Sequence, residues 1–344
     1  MSSSVTVIVP AHNEARQIGY VLDSVLNQSY GVKEVIVVDD VSDDGTGEIA
    51  KSKSVTVVRP GVRCGSKAKA LNFALPLVKT KYVVIVDADT VIKRDAIEHL
   101  VARMDTGRYT GVSSSVLPLN AESSFWAKGR TVEYCFASVW YKRVQAYFGR
   151  LLVLSGCSLM FKTSTLKWLK GFSDDTITED MDLTNSIYAK NIGRTGYAER
   201  AIAYTIEPQN FGVYKKQINR WDCGFFENVR KYLRILWRKN KGSAFIMSLS
   251  LGDSFMGLFY FPALFALLMN HGVFLALGMM VDFTIQITVA LYGARLLGMK
   301  LTNIPKFLPQ FYAMRFINFY FFWKWLVLAG FLGKTINIWH KGHT

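Results

Sequence analysis

The chain has 344 residues, half of them apolar and 14% aromatic, with a formal net charge of +15. That length holds one sizeable α/β domain plus something further. Basic and apolar character together fit an anionic membrane surface better than nucleic acid, for which no motif accompanies the charge. Cys64, Cys135, Cys157 and Cys223 are scattered without a C-x-x-C spacing, which argues for neither a disulfide framework nor a zinc site. The apolar run before Pro10 is too short for a signal peptide, so nothing targets the first domain for export.

Thr6 to Pro10 reads as a first strand. The loop Ala11-His12-Asn13-Glu14 follows, then a helix with Ile18, Val21, Leu22, Val25 and Leu26 at three- and four-residue spacing. Glu34 to Val38 is a second strand ending in Asp39-Asp40, and Asp43 to Thr46 is a turn opening the next helix. Val55 to Val58 is a third strand and Lys67 to Leu77 a helix. Tyr82 to Val86 is an unbroken apolar run rich in β-branched residues, a strand buried on both faces that stops at Asp87-Ala88-Asp89.

This rhythm predicts βαβ units and an α/β fold with a mostly parallel sheet. In such a sheet the C-terminal strand ends face one way, so Pro10 to Glu14, Asp39-Asp40 and Asp87 with Asp89 can converge on one crevice. An Asp-x-Asp pair there can hold a hard divalent cation, and the cation a diphosphate. Taken alone, the pair is equally a solvated turn. No G-x-G-x-x-G follows the first strand and no Walker A lysine motif is present, which disfavours a dinucleotide fold.

Ser124 to Arg150 carries eight aromatic residues between basic ones and reads as one or two amphipathic helices, their rings serving a core or an interface. Leu151 to Phe161 is strand-like around Ser155-Gly156-Cys157-Ser158, and Thr178-Glu179-Asp180-Met181-Asp182 precedes a helix over Leu183 to Lys190. Val213 to Lys241 has nine Lys or Arg against Asp222 and Glu227, interleaved with rings, the pattern of a helix lying in a headgroup layer. On it, Gln217 and Arg220 share one face.

Beyond Gly242 the segments 244–269 and 273–294 are long and apolar enough to span a bilayer, each with one charge, Asp253 and Asp282. The segment 311–332, with Arg315 and Lys324, spans or lies at the surface. Flanking cations place the N-terminal domain in the cytoplasm. The expected division is a catalytic domain over 1–212, a basic interfacial helix over 213–242 and a multi-pass membrane domain over 243–336, with two or three transmembrane helices.

The ordered set Val7-Ile8-Val9-Pro10-Ala11-His12-Asn13-Glu14, Val38-Asp39-Asp40, Lys67-Ala-Lys-Ala-Leu-Asn72, Asp87-Ala88-Asp89, Thr178-Glu179-Asp180 and Gln217-x-x-Arg220-Trp221 resembles the family 2 glycosyltransferases of the GT-A fold. It is most similar to the membrane-bound branch that holds cellulose, chitin and hyaluronan synthases and ceramide glucosyltransferase. The resemblance implies a UDP-sugar donor and inversion at the anomeric carbon. It implies that Asp40 meets the uracil, with Pro10, Ala11 and Glu14 walling the nucleoside. Lys67 and Arg220, with Gln217, then contact the donor phosphates or sugar. Asp87 and Asp89 hold Mg²⁺ or Mn²⁺, Asp180 is the general base, and Trp221 lines the acceptor entrance.

Polyprenyl-phosphate relatives generally lack the last two motifs, so a hydroxyl acceptor is expected, on a membrane lipid or on a growing glycan. Polymer synthases of this branch carry spans before the catalytic domain and several after it, whereas this sequence shows none before. That difference favours a lipid hydroxyl, hence glycolipid synthesis, with a processive polysaccharide synthase as the alternative.

Overall fold

Near-continuous burial along the first strand sets the architecture. In β1 (Val5–Ala11), Val7 and Val9 join one apolar layer and Ile8 the other, so the strand is covered on both faces. The computed structural model describes residues 5–252 and 273–336. After β1 come α1 (Ile18–Leu26), β2 (Glu34–Asp39), α2 (Thr46–Lys51), β3 (Thr56–Val58), α3 (Lys67–Ala74), β4 (Tyr82–Val86), β5 (Thr90–Ile92) and α4 (Ala96–Met104). Then follow β6 (Gly111–Pro118), α5 (Phe125–Ala137), a π-helical turn (Ser138–Arg143), α6 (Val144–Tyr147), β7 (Ser158–Lys162) and α7 (Thr163–Leu169). The remainder is α8 (Glu179–Ala189), β8 (Thr195–Thr205), α9 (Phe211–Lys239), α10 (helical over 241–252), α11 (Val273–Leu296), α12 (Asn303–Trp325) and a π turn (Leu326–Phe331).

Eight strands form one sheet in the order β3-β2-β1-β4-β7-β6-β8-β5. The first four are parallel. β7 is antiparallel to β4 and β6, β5 is antiparallel to β8, and β6 runs parallel to β8. The expected mostly parallel sheet is therefore correct for one half and mixed in the other. The break falls between β4 and its neighbour β7, which run antiparallel, while Asp87–Asp89 lead the chain away to β5 at the far edge of the sheet. The β6–β8 register slips between Ser114 and Ser115, an irregularity of the kind that bends a strand and re-aims its side chains.

The basic helix α9 differs from the expected interfacial helix. Its apolar face is spent on the protein: Tyr214, Ile218, Phe226, Tyr232 and Leu236 are buried. The rings of 124–150 divide between the two expected uses, with Trp126 stacked on Tyr214 at 4.4 Å and Trp140, Tyr147 and Phe148 exposed.

Among the described residues no helix is long and apolar enough to cross a membrane. The spans expected over 273–294 and 311–332 thus find no support in α11 and α12. Most of 244–269, with Asp253, lies outside the described residues. Asp282 accepts a hydrogen bond from Gln286 one turn along α11. α12 packs on α5 and α9 through buried Phe311, Met314, Phe321, Phe322 and Trp325. Asn219 of α9 accepts from Lys324 Nζ (2.8 Å) and Trp325 Nε1 (2.7 Å).

Glycines permit this close docking: a Cβ on Gly129 would collide with Met314 Sδ and crowd the Gln310 carbonyl, and one on Gly293 would strike the Cys135 carbonyl. Gly129→Ala is expected to destabilise the protein by about 1–3 kcal/mol through overpacking, read as a lower urea midpoint. An unchanged midpoint would show that α12 is not packed against α5 at this point.

Candidate active site

The loops that follow β1 and β2 are sewn together. The Glu14 amide donates to Thr46 Oγ1 (2.7 Å), the Asn13 amide to Ser42 Oγ (3.0 Å) and the Asp43 amide to Asn13 Oδ1 (3.0 Å). Asn13 and Val41 accept left-handed backbone conformations to allow it. Asp40 accepts from the amides of Cys64 (2.6 Å) and Gly65 (3.4 Å), and its own carbonyl oxygen meets His12 Nδ1 at 2.8 Å. Asp39 is turned away: it is buried, paired with Arg59 and bonded by the Ser42 amide. Pro10, Ala11, Glu14 and Asp40 thus form one end of a cavity of about 730 Å³.

Further along, four carboxylates gather around one ammonium. Lys67, at the start of α3 behind its Ser66 cap, lies 2.5 Å from Asp87 and 3.2 Å from Glu179 and donates to the Gly156 carbonyl at 3.1 Å. Burial disfavours its charge, yet Asp87 and Glu179 outweigh this and hold its pKa well above the ordinary lysine value. Burial pushes Asp87 up to about 6, with Lys67 opposing and the Asp89 charge adding to the rise.

Asp180, in the first turn of α8, accepts from the amides of Gly156 (2.8 Å) and Met181 (2.7 Å). Burial, and then Glu179, raises its pKa while Lys67 and those amides restrain it. A Cβ at Gly156 would crowd this pair, standing 3.0 Å from Asp180 Oδ2 and 3.1 Å from Lys67 Nζ.

Asp87 and Asp89 satisfy the chemistry of a hard-cation site: oxygen donors, like charges in mutual repulsion and an open cavity beside them. Among the described residues no group of three or more acidic, histidine or cysteine side chains forms a metal cage. A site completed by substrate phosphates needs only one or two carboxylates.

The far side of the cavity is built by α5, α9 and α12. Gln217, Arg220 and Trp221 all line it. Gln217 Oε1 is committed to Arg130 Nη2 at 2.9 Å, and Arg130 stacks over Trp221 at 4.4 Å. Sequence reasoning missed Arg130, which is fully buried, and Glu207, 1% exposed and pushed by burial up to about 7 against the pull of Arg130. Only the three-residue spacing of Arg130 and Glu133, a short-range pair at 2.7 Å, hinted at them. It also missed α12: Phe311, Tyr312, Arg315, Phe316 and Phe319 wall the cavity from a segment read as a membrane span or a surface helix.

Lys142 is a further unforeseen group. From the π turn it reaches into the cavity and donates to the Val153 carbonyl at 2.6 Å. Burial pushes its ammonium down from 10.5 to about 8, against the opposing pull of Asp180. Between those values only the unfolded chain keeps this proton, so the group makes stability rise with pH across that window. Lys142→Met is expected to flatten that rise in urea midpoints measured from pH 7 to 10.5. Parallel curves for the two proteins would contradict a desolvated amine.

The glycosyl transferase family 2 model matches residues 6–169. The poly-β-1,6-N-acetyl-D-glucosamine synthase of Staphylococcus epidermidis is 30% identical over 237 residues, 68% of this chain and 56% of that protein. The synthase of the same name from Staphylococcus aureus strain COL is 27% identical over 226 residues, 65% of this chain and 55% of the relative. The chain therefore spans about half the length of the curated relatives it matches. Among solved structures, the mannosyltransferase PcManGT of Pyrobaculum calidifontis, in complex with GDP-Man and Mn²⁺, aligns with a TM-score of 0.58 at 21% identity over 90% of this chain and 86% of that one. S. aureus TarS 1–349 with UDP-GlcNAc aligns at 0.54 and 18% identity over 96% and 92%. These likenesses carry the fold, a GT-A-like α/β domain with a mixed sheet. By its matched segment and its relatives, the chain is similar to the family 2 glycosyl transferases.

Proposed function

We propose that the chain extends a glycan, moving N-acetylglucosamine from a UDP-sugar to the terminal hydroxyl with inversion. The geometry supports the chemistry: Asp180, a half-buried carboxylate with a raised pKa, shares one cavity with the Pro10–Asp40 nucleotide wall. The observation that carries the acceptor is the similarity to poly-β-1,6-N-acetyl-D-glucosamine synthases over 68% of the chain. Because the chain spans only part of those relatives, a count of membrane spans no longer favours a lipid acceptor.

In this reading the donor nucleoside rests on Pro10, Ala11, Glu14 and Asp40. Asp180 accepts the proton of the acceptor hydroxyl as its oxygen bonds to the anomeric carbon and the bond to the diphosphate breaks. Lys67 and Arg220 face the negative charge that builds on the departing UDP. Asp89, with Asp87, would hold Mg²⁺ or Mn²⁺, which supplies charge neutralisation to the diphosphate. Trp221 offers a flat apolar ring to the incoming sugar.

A lipid hydroxyl is the second reading, favoured by the aromatic wall of Phe311, Phe316 and Phe319. Attachment to an anionic membrane with the cavity on the cytoplasmic side belongs to both readings. Arg150 Nε donates to Asn240 at 3.0 Å, which brings exposed Tyr147 and Phe148 beside exposed Trp237 and the cations Arg238, Lys239 and Lys241.

Protein bound to phosphatidylglycerol vesicles, given labelled UDP-N-acetylglucosamine and a β-1,6-linked N-acetylglucosamine trisaccharide, should produce a water-soluble ladder. Label in the organic phase at one sugar per acceptor would replace this reading with the lipid one, and failure to pellet with the vesicles would remove the membrane part. Asp180→Asn should lower transfer by about 10²–10⁴-fold while UDP affinity holds. Chelation by EDTA should weaken UDP binding to the wild-type chain and leave Asp89→Ala indifferent; an equal response from both would exclude Asp89 as a ligand.

A further inference from the structure

Behind the wall shared by α5 and α9, the fully buried Arg130 faces three carboxyl groups, and burial raises the pKa of two of them, Glu207 and Asp222. It donates to Glu133 at 2.7 Å and to Gln217 at 2.9 Å, and its Nε lies 3.7 Å from Glu207 Oε2. Asp222 feels the same guanidinium and the same Glu133 charge. Glu133, Glu207 and Asp222 all face the cavity, whereas Arg130 stands behind them. Desolvation penalises every carboxylate that lacks a partner.

Two of these oxygens are buried and accept no hydrogen bond among the described residues, Glu207 Oε2 and Asp222 Oδ2. The other Glu207 oxygen takes the Tyr134 hydroxyl at 2.8 Å. Buried acceptors in folded proteins are met by donors in the great majority of cases; Glu207 Oε2 has Arg130 Nε, itself without a hydrogen bond among the described residues, 3.7 Å away, so Asp222 Oδ2 is the oxygen that most directly marks where a ligand donates. A surplus of acceptors beside an indole ring, Trp221, suits a saccharide: its hydroxyls donate and its C–H face stacks on the ring. The cluster lies on α5, α9 and the segment after β8, not on the β1 and β2 loops that wall the nucleotide end.

We infer that Glu207, Asp222 and Glu133, backed by Arg130, form a saccharide-binding subsite for the acceptor, which reads a sugar unit through its hydroxyl donors. The inference rests on the proposal that the acceptor is a glycan, and it adds the residues that recognise it. Arg130 is a positioning residue: it holds the carboxylates, Gln217 and Trp221 in one arrangement and does not itself line the cavity.

Calorimetric titration of the full chain, saturated with UDP, with the same trisaccharide reads the subsite without turnover. Glu207→Gln and Asp222→Asn are each expected to weaken trisaccharide binding by about ten-fold or more and to leave UDP affinity within about two-fold, since each substitution exchanges a carboxyl oxygen facing the saccharide for an amide nitrogen that cannot accept. Unchanged trisaccharide affinity would overturn the proposal, as would UDP affinity falling in step, which would place the cluster at the donor. Should Glu207→Gln fail to fold, Asp222→Asn and Glu133→Gln decide: the buried Asp222 oxygen accepts no hydrogen bond to lose, and the Glu133 side chain is 32% exposed. Glu207-dependent binding with no ladder would keep the subsite and reject glycan extension. A ladder with the same acceptor KM in all variants would keep glycan extension and reject the subsite.

Discussion

A single ammonium allows the acidic centre to exist. Lys67 joins the start of α3, the end of β4, the loop before β7 and the first turn of α8, by its contacts with Asp87, the Gly156 carbonyl and Glu179. Without a positive charge at that point, Asp87, Asp89, Glu179 and Asp180 would repel one another in a partly desolvated cavity. With it they remain close, though burial still lifts Asp87 and Asp180 above ordinary carboxylates. A carboxylate with a raised pKa, held by two backbone amides beside an ammonium, is an arrangement that can take up a proton.

Arg130 has the corresponding position on the opposite wall. It is completely buried, so its side chain is affordable only because Glu133, Gln217, Glu207 and the rings of Tyr214 and Trp221 surround it. Through Gln217 and Trp221 it orients the part of α9 that also presents Arg220. Asn219, on the same turn, fastens α12 by accepting from Lys324 and Trp325. Two of the three helices that close the cavity, α9 and α12, thus lie outside the segment 6–169 matched by the family model.

Much of this was legible from the residues alone. β1, β2 and β4 announce themselves as short apolar runs ending in polar loops, and the helix at Ile18 shows its buried stripe at three- and four-residue spacing. Every residue singled out for a donor, metal, base or acceptor role lines the one cavity. Other features have contacts that the residues alone did not announce. The composition of α9 is that of an interfacial helix, because core rings and membrane rings look the same in sequence. The apolar character of α12 suggested a bilayer, whereas the described helix packs against α5 and α9.

The sequence by itself determined the strands of the parallel half, the acidic strand ends and the ordered motifs, because local periodicity and residue type depend on neighbours along the chain. Only the tertiary structure decided the mixed half of the sheet, the pairing of Lys67 with residues 20 and 112 positions away, the burial of Arg130 and the use of α12 as a wall. Those features are contacts between distant segments, and the free energy of desolvating a charge depends on what surrounds it in space, which residue order does not state.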